Sequence, residues 1–302
     1  MSGEGVSVHK TVLLNETIDG LNLRGGAVVL DGTFGGGGHS AEICRRTSKV
    51  KIIAVDQDAG AFEKAKSKFE NLACDLTFVN ANFRNIDHLE AKLPRQGFDG
   101  IILDLGLSSD QLENSGRGFS FLKDEPLLMT MKEHPAPEDL TALEVVNRWE
   151  EKNLADIIYG YGEEKYARRI ARAIVEARDK SEIKTTRELV EIIKSSVPIG
   201  YLRGKIHPAT RTFQAIRIAV NDELGALKEG LEKSFKVLKK GGRLGVISFH
   251  SLEDRIVKNF YRDKKQAKTA ILINKKPIIA GLEELKANPR ARSAKLRILS
   301  RL

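Results

Sequence analysis

The feature that most restricts the fold is an alternation in the first 104 residues. Short apolar segments, three of them running into an aspartate, are separated by helical stretches. Ala27-Val-Val-Leu30 leads into Asp31, Lys51-Ile-Ile-Ala-Val55 into Asp56, and Gly100-Ile-Ile-Leu103 into Asp104, while Leu76-Thr-Phe-Val79 forms a further segment. Between them, Ser40–Arg46 reads as a helix, as does Ala59–Asn71 with Phe62, Ala65 and Phe69 on one face. Near-continuous apolar strands belong to parallel sheets covered on both faces, because helical crossovers bury each strand twice. The expected fold class is therefore α/β.

After Asp104 the rhythm stops. From about Leu112 to Ile206 there is no comparable buried strand. Residues 139–158, 163–178 and Thr186–Ser195 read instead as amphipathic helices, the second with Tyr166, Ile170, Ile174 and Ala177 on one stripe. The α/β pattern then returns: a long helical stretch over Thr210–Leu238, a turn at Lys239-Lys-Gly-Gly242, a strand from Arg243 to Phe249, a helix over Leu252–Asp263, and two last strands at Ala270–Asn274 and Lys295–Leu299. This predicts a discontinuous sheet domain, residues 1–112 and 206–302, split by an all-helical insert at 113–205. Some ninety residues suit a small inserted domain.

Charge adds a direction. The chain carries 50 Lys and Arg against 41 Asp and Glu. From Arg255 to Leu302 the count is 14 basic to 3 acidic, so the rest is close to balanced. A basic tail on a balanced body points to a polyanion, nucleic acid before membrane, with a solvated lysine-rich surface as the plain alternative. No apolar run approaches the ~18 residues that span a bilayer, and Met1–Val6 has no signal-peptide pattern. Cys44 and Cys74 lie thirty residues apart in unrelated contexts and read as free thiols of a reducing cytoplasm. The six histidines (His9, His39, His88, His134, His207, His250) lack metal-ligand spacing, so no protein metal site is expected.

The chemistry sits at the strand ends. Asp31-Gly-Thr-Phe-Gly-Gly-Gly-Gly-His39 lies between a strand and a helix, where glycines allow close backbone approach and the helix start offers free N–H donors. Asp56, twenty-one residues after Gly35, stands where an acid can accept both hydroxyls of an adenosine ribose. Gly36-x-Gly38-x-x-Ala41 formally fits a dinucleotide fingerprint, which keeps NAD in play. An acid opening the loop, however, repels a pyrophosphate and attracts the α-ammonium of S-adenosylmethionine (SAM), so the Asp-x-Thr-x-Gly-x-Gly arrangement favours SAM. Asp104, followed by Leu-Gly-Leu-Ser-Ser109, can accept a hydrogen bond from an exocyclic amine, or simply cap the next turn.

Seven segments together resemble the RsmH (MraW) family of small-subunit rRNA cytosine-N4 methyltransferases. They are Asp31–Ser40, Asp104–Ser109, Arg117-Gly-Phe-Ser-Phe121, Tyr161-Gly-Glu-Glu164, His207-Pro-Ala-Thr-Arg-Thr-Phe-Gln-Ala215, Ser248-Phe-His-Ser-Leu-Glu-Asp-Arg255 and Asn288-Pro-Arg-Ala-Arg-Ser-Ala294. The resemblance runs from His9-Lys-Thr-Val-Leu-Leu14 to the C-terminus. It implies a class I (Rossmann-like) SAM-dependent methyltransferase sheet with an inserted helical domain that recognises RNA. It further implies methylation of a decoding-site cytosine of bacterial 16S rRNA, as free RNA or within the small ribosomal subunit. By the same resemblance the SAM contacts fall on Gly37, Gly38, His39, Asp56, Phe83, Asp104 and Gln111. Phe83 can pack on adenine or belong to the core, and Gln111 rests on the resemblance alone.

Asp104 is the expected catalytic group, with His250 orienting the base or relaying a proton and Phe249 stacking on the flipped nucleotide. Arg203, Lys205, Arg211 and Arg217 are expected phosphate contacts, supported by Arg290, Arg292, Lys295 and Arg297. The chain departs from the family at Pro126-Leu-Leu-Met-Thr-Met-Lys132, where Leu128, Thr130 and Lys132 replace two acids and an arginine. Three other readings compete. A DNA amino-methyltransferase lacks support because Leu105-Gly106-Leu107 is not a Pro-Pro-aromatic motif. An RNA-binding assembly factor without catalysis and an NAD oxidoreductase are the others.

Overall fold

A computed structural model describes residues 10–89, 94 and 96–302; His9 and the Met1–Val6 stretch considered above lie outside the described residues. The chain forms two compact units, one of residues 1–108 with 224–302 and one of residues 109–223.

The first unit opens with α1 (Leu14–Leu21), β1 (Val28–Asp31), α2 (Gly38–Arg46), β2 (Lys51–Asp56), α3 (Gly60–Ala65), β3 (Asp75–Asn80) and β4 (Phe98–Asp104). The helical unit holds α4 (Ser109–Glu113), α5 (Ala142–Arg148), α6 (Glu151–Gly160), α7 (Ala167–Arg178), α8 (Thr186–Ser196), α9 (Ile199–Leu202) and α10 (Thr210–Asn221). The chain then continues through α11 (Glu223–Val237), β5 (Leu238–Ser248), α12 (Ser251–Gln266), β6 (Ala270–Leu272), α13 (Leu282–Ala287) and β7 (Lys295–Arg301).

The seven strands form one sheet in the order β3-β2-β1-β4-β5-β7-β6. β1 pairs in parallel with both β2 and β4, and β4 in parallel with β5, whereas β7 is antiparallel to β5 and β6. The order reverses between β1 and β4. Crossovers leave these two strands on opposite sides and open a crevice beyond their carboxyl ends, which is where open α/β sheets bind ligands. The larger core covers one face with Leu103, Leu231, Leu244 and Tyr261, and a second packs Ile18, Val29, Ile43 and Ile52 on the other. The central strands are thus buried on both faces, as their unbroken apolar runs require.

Several boundaries differ from the expectation. Residues 206–223 belong to the helical unit, because the apolar face of α10 packs on α6 and α5. The single helix expected over Thr210–Leu238 is two, broken where Asp222 takes a left-handed conformation (φ 44°), which an aspartate tolerates better than most residues. Residues 139–158 likewise divide, at Trp149 and Glu150, which are extended. Lys239–Gly242 is an irregularity inside β5: Phe98 pairs with Leu238, but Gly100 already pairs with Arg243.

The cysteines are the clearest correction. Cys44 and Cys74 are joined in a disulfide, with Cα atoms 5.5 Å apart. Both side chains lie in the α1/α2-side core cluster with Ile43 and Leu72. Two successive crossovers bring to one face what sequence spacing keeps apart.

Candidate active site

β1 ends in Asp31, β2 in Asp56 and β4 in Asp104, so all three acids stand at the carboxyl edge on either side of the switch point. Asp31 is buried; Ser40 Oγ donates to Oδ2 at 2.6 Å and the Thr33 N–H to Oδ1 at 3.3 Å. Burial pushes its carboxyl up from the usual 3.8 to about 6, against the pull of those two hydrogen bonds.

The glycine loop turns through two left-handed residues, Gly35 (φ 51°) and Gly37 (φ 70°), the second capping the start of α2. At Gly38 a side chain is excluded, since a Cβ would lie 1.7 Å from Thr11 Oγ1. At Gly35 a Cβ would meet only ordinary contacts, Ser108 Cβ and the Thr33 carbonyl at 3.9 Å, so the positive φ and not crowding favours glycine there. Asp56 holds this loop: Gly35 N–H donates to Oδ2 at 2.7 Å, and Asp58 N–H to Oδ1 at 2.9 Å. Burial raises the Asp56 carboxyl above its ordinary value, and the two backbone donors oppose it.

Asp104 receives the Gly106 N–H at 3.3 Å, and its own N–H donates to Thr33 Oγ1 at 2.6 Å. His39 Nδ1, on α2, is 3.8 Å from Asp104 Oδ2. Burial drives the Asp104 carboxyl to about 7, with the charges of Asp31 and Glu253 adding to the rise. Neither Asp31 nor Asp104 is paired with a lysine or arginine among the described residues.

Phe249 joins this group. Its ring packs on the Gly106 backbone, so close that a Cβ there would lie 2.7 Å away. His250 follows Phe249 at the start of α12. It caps α12: Nδ1 accepts from Glu253 N–H at 3.4 Å, while Nε2 sits 3.2 Å from Glu253 Oε1. Glu253 Oε2 in turn accepts the Phe249 and His250 N–H groups. Phe83 lies against α11, its ring filling the space that a side chain at Gly230 would need. Gln111 lies on α4 in the helical unit.

The expected phosphate contacts divide. Arg203 and Lys205 are exposed in the segment after α9. Arg211 donates to the Glu163 carbonyl at 2.9 Å, and Arg217 forms a two-pronged pair with Glu223 at 2.7 and 2.8 Å. Lys295 and Arg297 share Asp254.

Sequence reasoning missed Thr33, Ser40, Asp58 and Glu253, the residues that fix the acids and the loop. Only Glu253 had a signal, the three-residue spacing of a capping box after His250. In the helical unit the remaining motifs brace one another. Phe121 stacks on His207 with centroids 4.5 Å apart, and buried Glu164 accepts from the Tyr201 hydroxyl and from Tyr166 N–H. The departing segment is tied down as well: Met131 N–H donates to Asn221, Asn221 donates to the Met129 carbonyl, and Lys132 pairs with Asp139.

A sheet in this order with an antiparallel β7, a glycine loop after β1 and an acid after β2 define a class I, Rossmann-like methyltransferase. The antiparallel strand also separates it from the six-stranded dinucleotide-binding order. The MraW methylase family matches residues 6–302, and the chain belongs to that family. It is 46% identical to the ribosomal RNA small subunit methyltransferase H of Brevibacillus brevis, over 97% of this chain and 98% of that one. The proteins of the same name from Persephonella marina and Clostridium botulinum are each 46% identical, over 97% of this chain and 99% of theirs.

Proposed function

We propose that this protein transfers a methyl group from SAM to the exocyclic N4 of a decoding-site cytosine in bacterial 16S rRNA, as free RNA or in the small subunit. The observation that carries this reading is the trio of strand-end acids around the glycine loop, of which buried Asp31 and partly buried Asp104 have no lysine or arginine partner among the described residues. Acids in that position suit a ligand with an ammonium, a sulfonium and ribose hydroxyls. They oppose a pyrophosphate.

SAM, when bound, supplies the methyl group on a sulfonium that leaves as a thioether. Asp31 would hold the ammonium, Asp56 the ribose hydroxyls through the lone pairs left by Gly35 and Asp58, and Gly37, Gly38 and His39 the loop side. Phe83 and Gln111 would complete the contacts. The cytosine amine is a weak nucleophile because its lone pair is delocalised into the ring. Asp104 would hold one N4–H, favour the pyramidal amine, and accept the proton released as the new N–C bond forms. An acceptor near 7 is matched to that task at neutral pH. Phe249, against the same loop, would stack on the exposed base. The cap at His250 supports an orienting role for the Phe249 segment in preference to a proton relay.

The helical unit is the proposed RNA-recognition domain, with exposed Arg203 and Lys205 as its phosphate contacts; Arg211 and Arg217 hold the unit together. With an rRNA substrate the proposed location is the cytoplasm, and the reading needs no protein-bound metal. Labelled SAM, small-subunit rRNA and nucleoside analysis test it. Labelled N4-methylcytidine is expected, and Asp104→Asn should cut turnover about 100-fold or more while retaining much of the SAM affinity. Label in another nucleoside, or no transfer, overturns it.

A further inference from the structure

At the opposite edge of the sheet, where β1, β4 and β5 begin, lies a cavity of about 360 Å³. Two turns line it, Asn22–Ala27 and Lys239–Arg243, together with Asp99. We propose that this cavity is a second RNA contact, which takes adjacent backbone phosphates of the rRNA remote from the methylated base.

Charge carries the assignment. Arg24, Lys239, Lys240 and Arg243 converge on the cavity, and among the described residues its one acid is Asp99. That acid is already engaged by Lys239 Nζ and Val28 N–H, each at 2.8 Å. Arg243 is fixed from below, donating to the Gly20 carbonyl at 2.7 Å. Arg24 and Lys240 are exposed, and neither side chain has an ion-pair or hydrogen-bond partner among the described residues. The basic rim continues past Lys240 into an adjoining cavity of about 370 Å³ with Lys236 and Arg301.

Shape and lining narrow the occupant. Gly26 and Gly241 both take positive φ, and nothing lies within 4 Å of their missing Cβ atoms, which leaves room for a strand to approach the backbone. Among the described residues no aromatic side chain lines the cavity, so bases find no stacking platform there and the contact reads phosphate, not sequence. β4 has seven residues, which separates this rim from Asp104 by roughly 20 Å. To reach this rim from Asp104 an RNA must run on several nucleotides beyond the target base, as a ribosomal RNA does and a trinucleotide centred on the cytosine does not.

This inference rests on the rRNA reading above, and the test keeps the two apart. Arg24→Ala/Lys240→Ala removes only the unpartnered charges. Binding of the full-length variant and the parent to 16S rRNA, and to a trinucleotide RNA centred on the target cytosine, is measured from 50 to 300 mM KCl. For 16S rRNA the variant's log-affinity against log-salt slope should flatten by about 1.4–1.8, the sum of two lost phosphate contacts. Binding of the short RNA and of SAM should stay as in the parent. An unchanged slope with 16S rRNA, or an equal change with the short RNA, overturns the remote contact and leaves the function intact. A parent protein that binds neither RNA overturns both.

Discussion

The backbone N–H of Gly35 donates to the carboxylate of Asp56 at 2.7 Å, across twenty-one residues of sequence. One acid thus fixes the glycine loop and faces the ligand crevice at the end of β2. A group that shapes the site and binds in it should show both roles when removed.

Asp56→Ala is therefore expected to weaken SAM binding about 10- to 100-fold, the range for losing hydrogen bonds to a charged acceptor. Asp56→Asn, which keeps one acceptor oxygen, should lose less. Titration calorimetry decides, and unchanged affinity in the alanine variant removes the ribose assignment.

The site's pH dependence follows from burial. Asp31 and Asp104 titrate at about 6 and 7, well above a free aspartate, so each holds its proton on the acid side of those values. A cationic ligand favours the carboxylate. SAM affinity is thus expected to rise with pH through about 6 and level off above 7, and Asp31→Asn should flatten the lower part. In the ligand-free protein the sign reverses. Through these two carboxyls the folded state binds more protons than the unfolded one between about pH 4 and 7, so their contribution to stability falls as pH rises through that window. Calorimetry and thermal denaturation at pH 5 and pH 8 check both signs.

What could be read in advance was what repeats locally. The strands of the first 104 residues, the acids at their ends and the glycine turn depend on neighbours within a few residues, and each stands where expected. The disulfide, Thr33 beneath Asp104 and Ser40 on Asp31 depend on which segments the crossovers bring together, so no short window contains them. The partners of Arg211 and Arg217 depend on the fold in the same way. As sequence both arginines are basic residues in a basic stretch, and only the fold shows that one braces a carbonyl and the other Glu223.

His250 separates a catalytic from a positioning role. As the cap of α12 it is replaceable by another capping residue, so His250→Asn should retain turnover within a few-fold and cost under about 1 kcal/mol. His250→Ala should cost about 1–2 kcal/mol and loosen Phe249, whose N–H shares Glu253. Single-turnover methylation against pH tells the roles apart. A profile unchanged in the asparagine variant fits the cap, whereas loss of one limb in that variant assigns the proton to His250.

The disulfide predicts a difference between oxidised and reduced protein. Joining Cys44 to Cys74 closes a thirty-residue loop, and the chain-entropy account gives about 3–4 kcal/mol for a loop of that length. Reduction, or Cys74→Ser, should then lower the melting temperature by roughly 5–6 °C for a chain of this size. Activity should survive, because Cys44 lies six residues into α2 from Gly38, about 9 Å along the helix from the turn that shapes the site. The sheet and the Asp56–Gly35 bond hold that turn independently of the sulfurs. Free-thiol titration of the unreduced protein counts the bond directly. Two titratable thiols in the folded state, or an identical melting temperature with and without reductant, would show that the cysteines act only as buried apolar side chains.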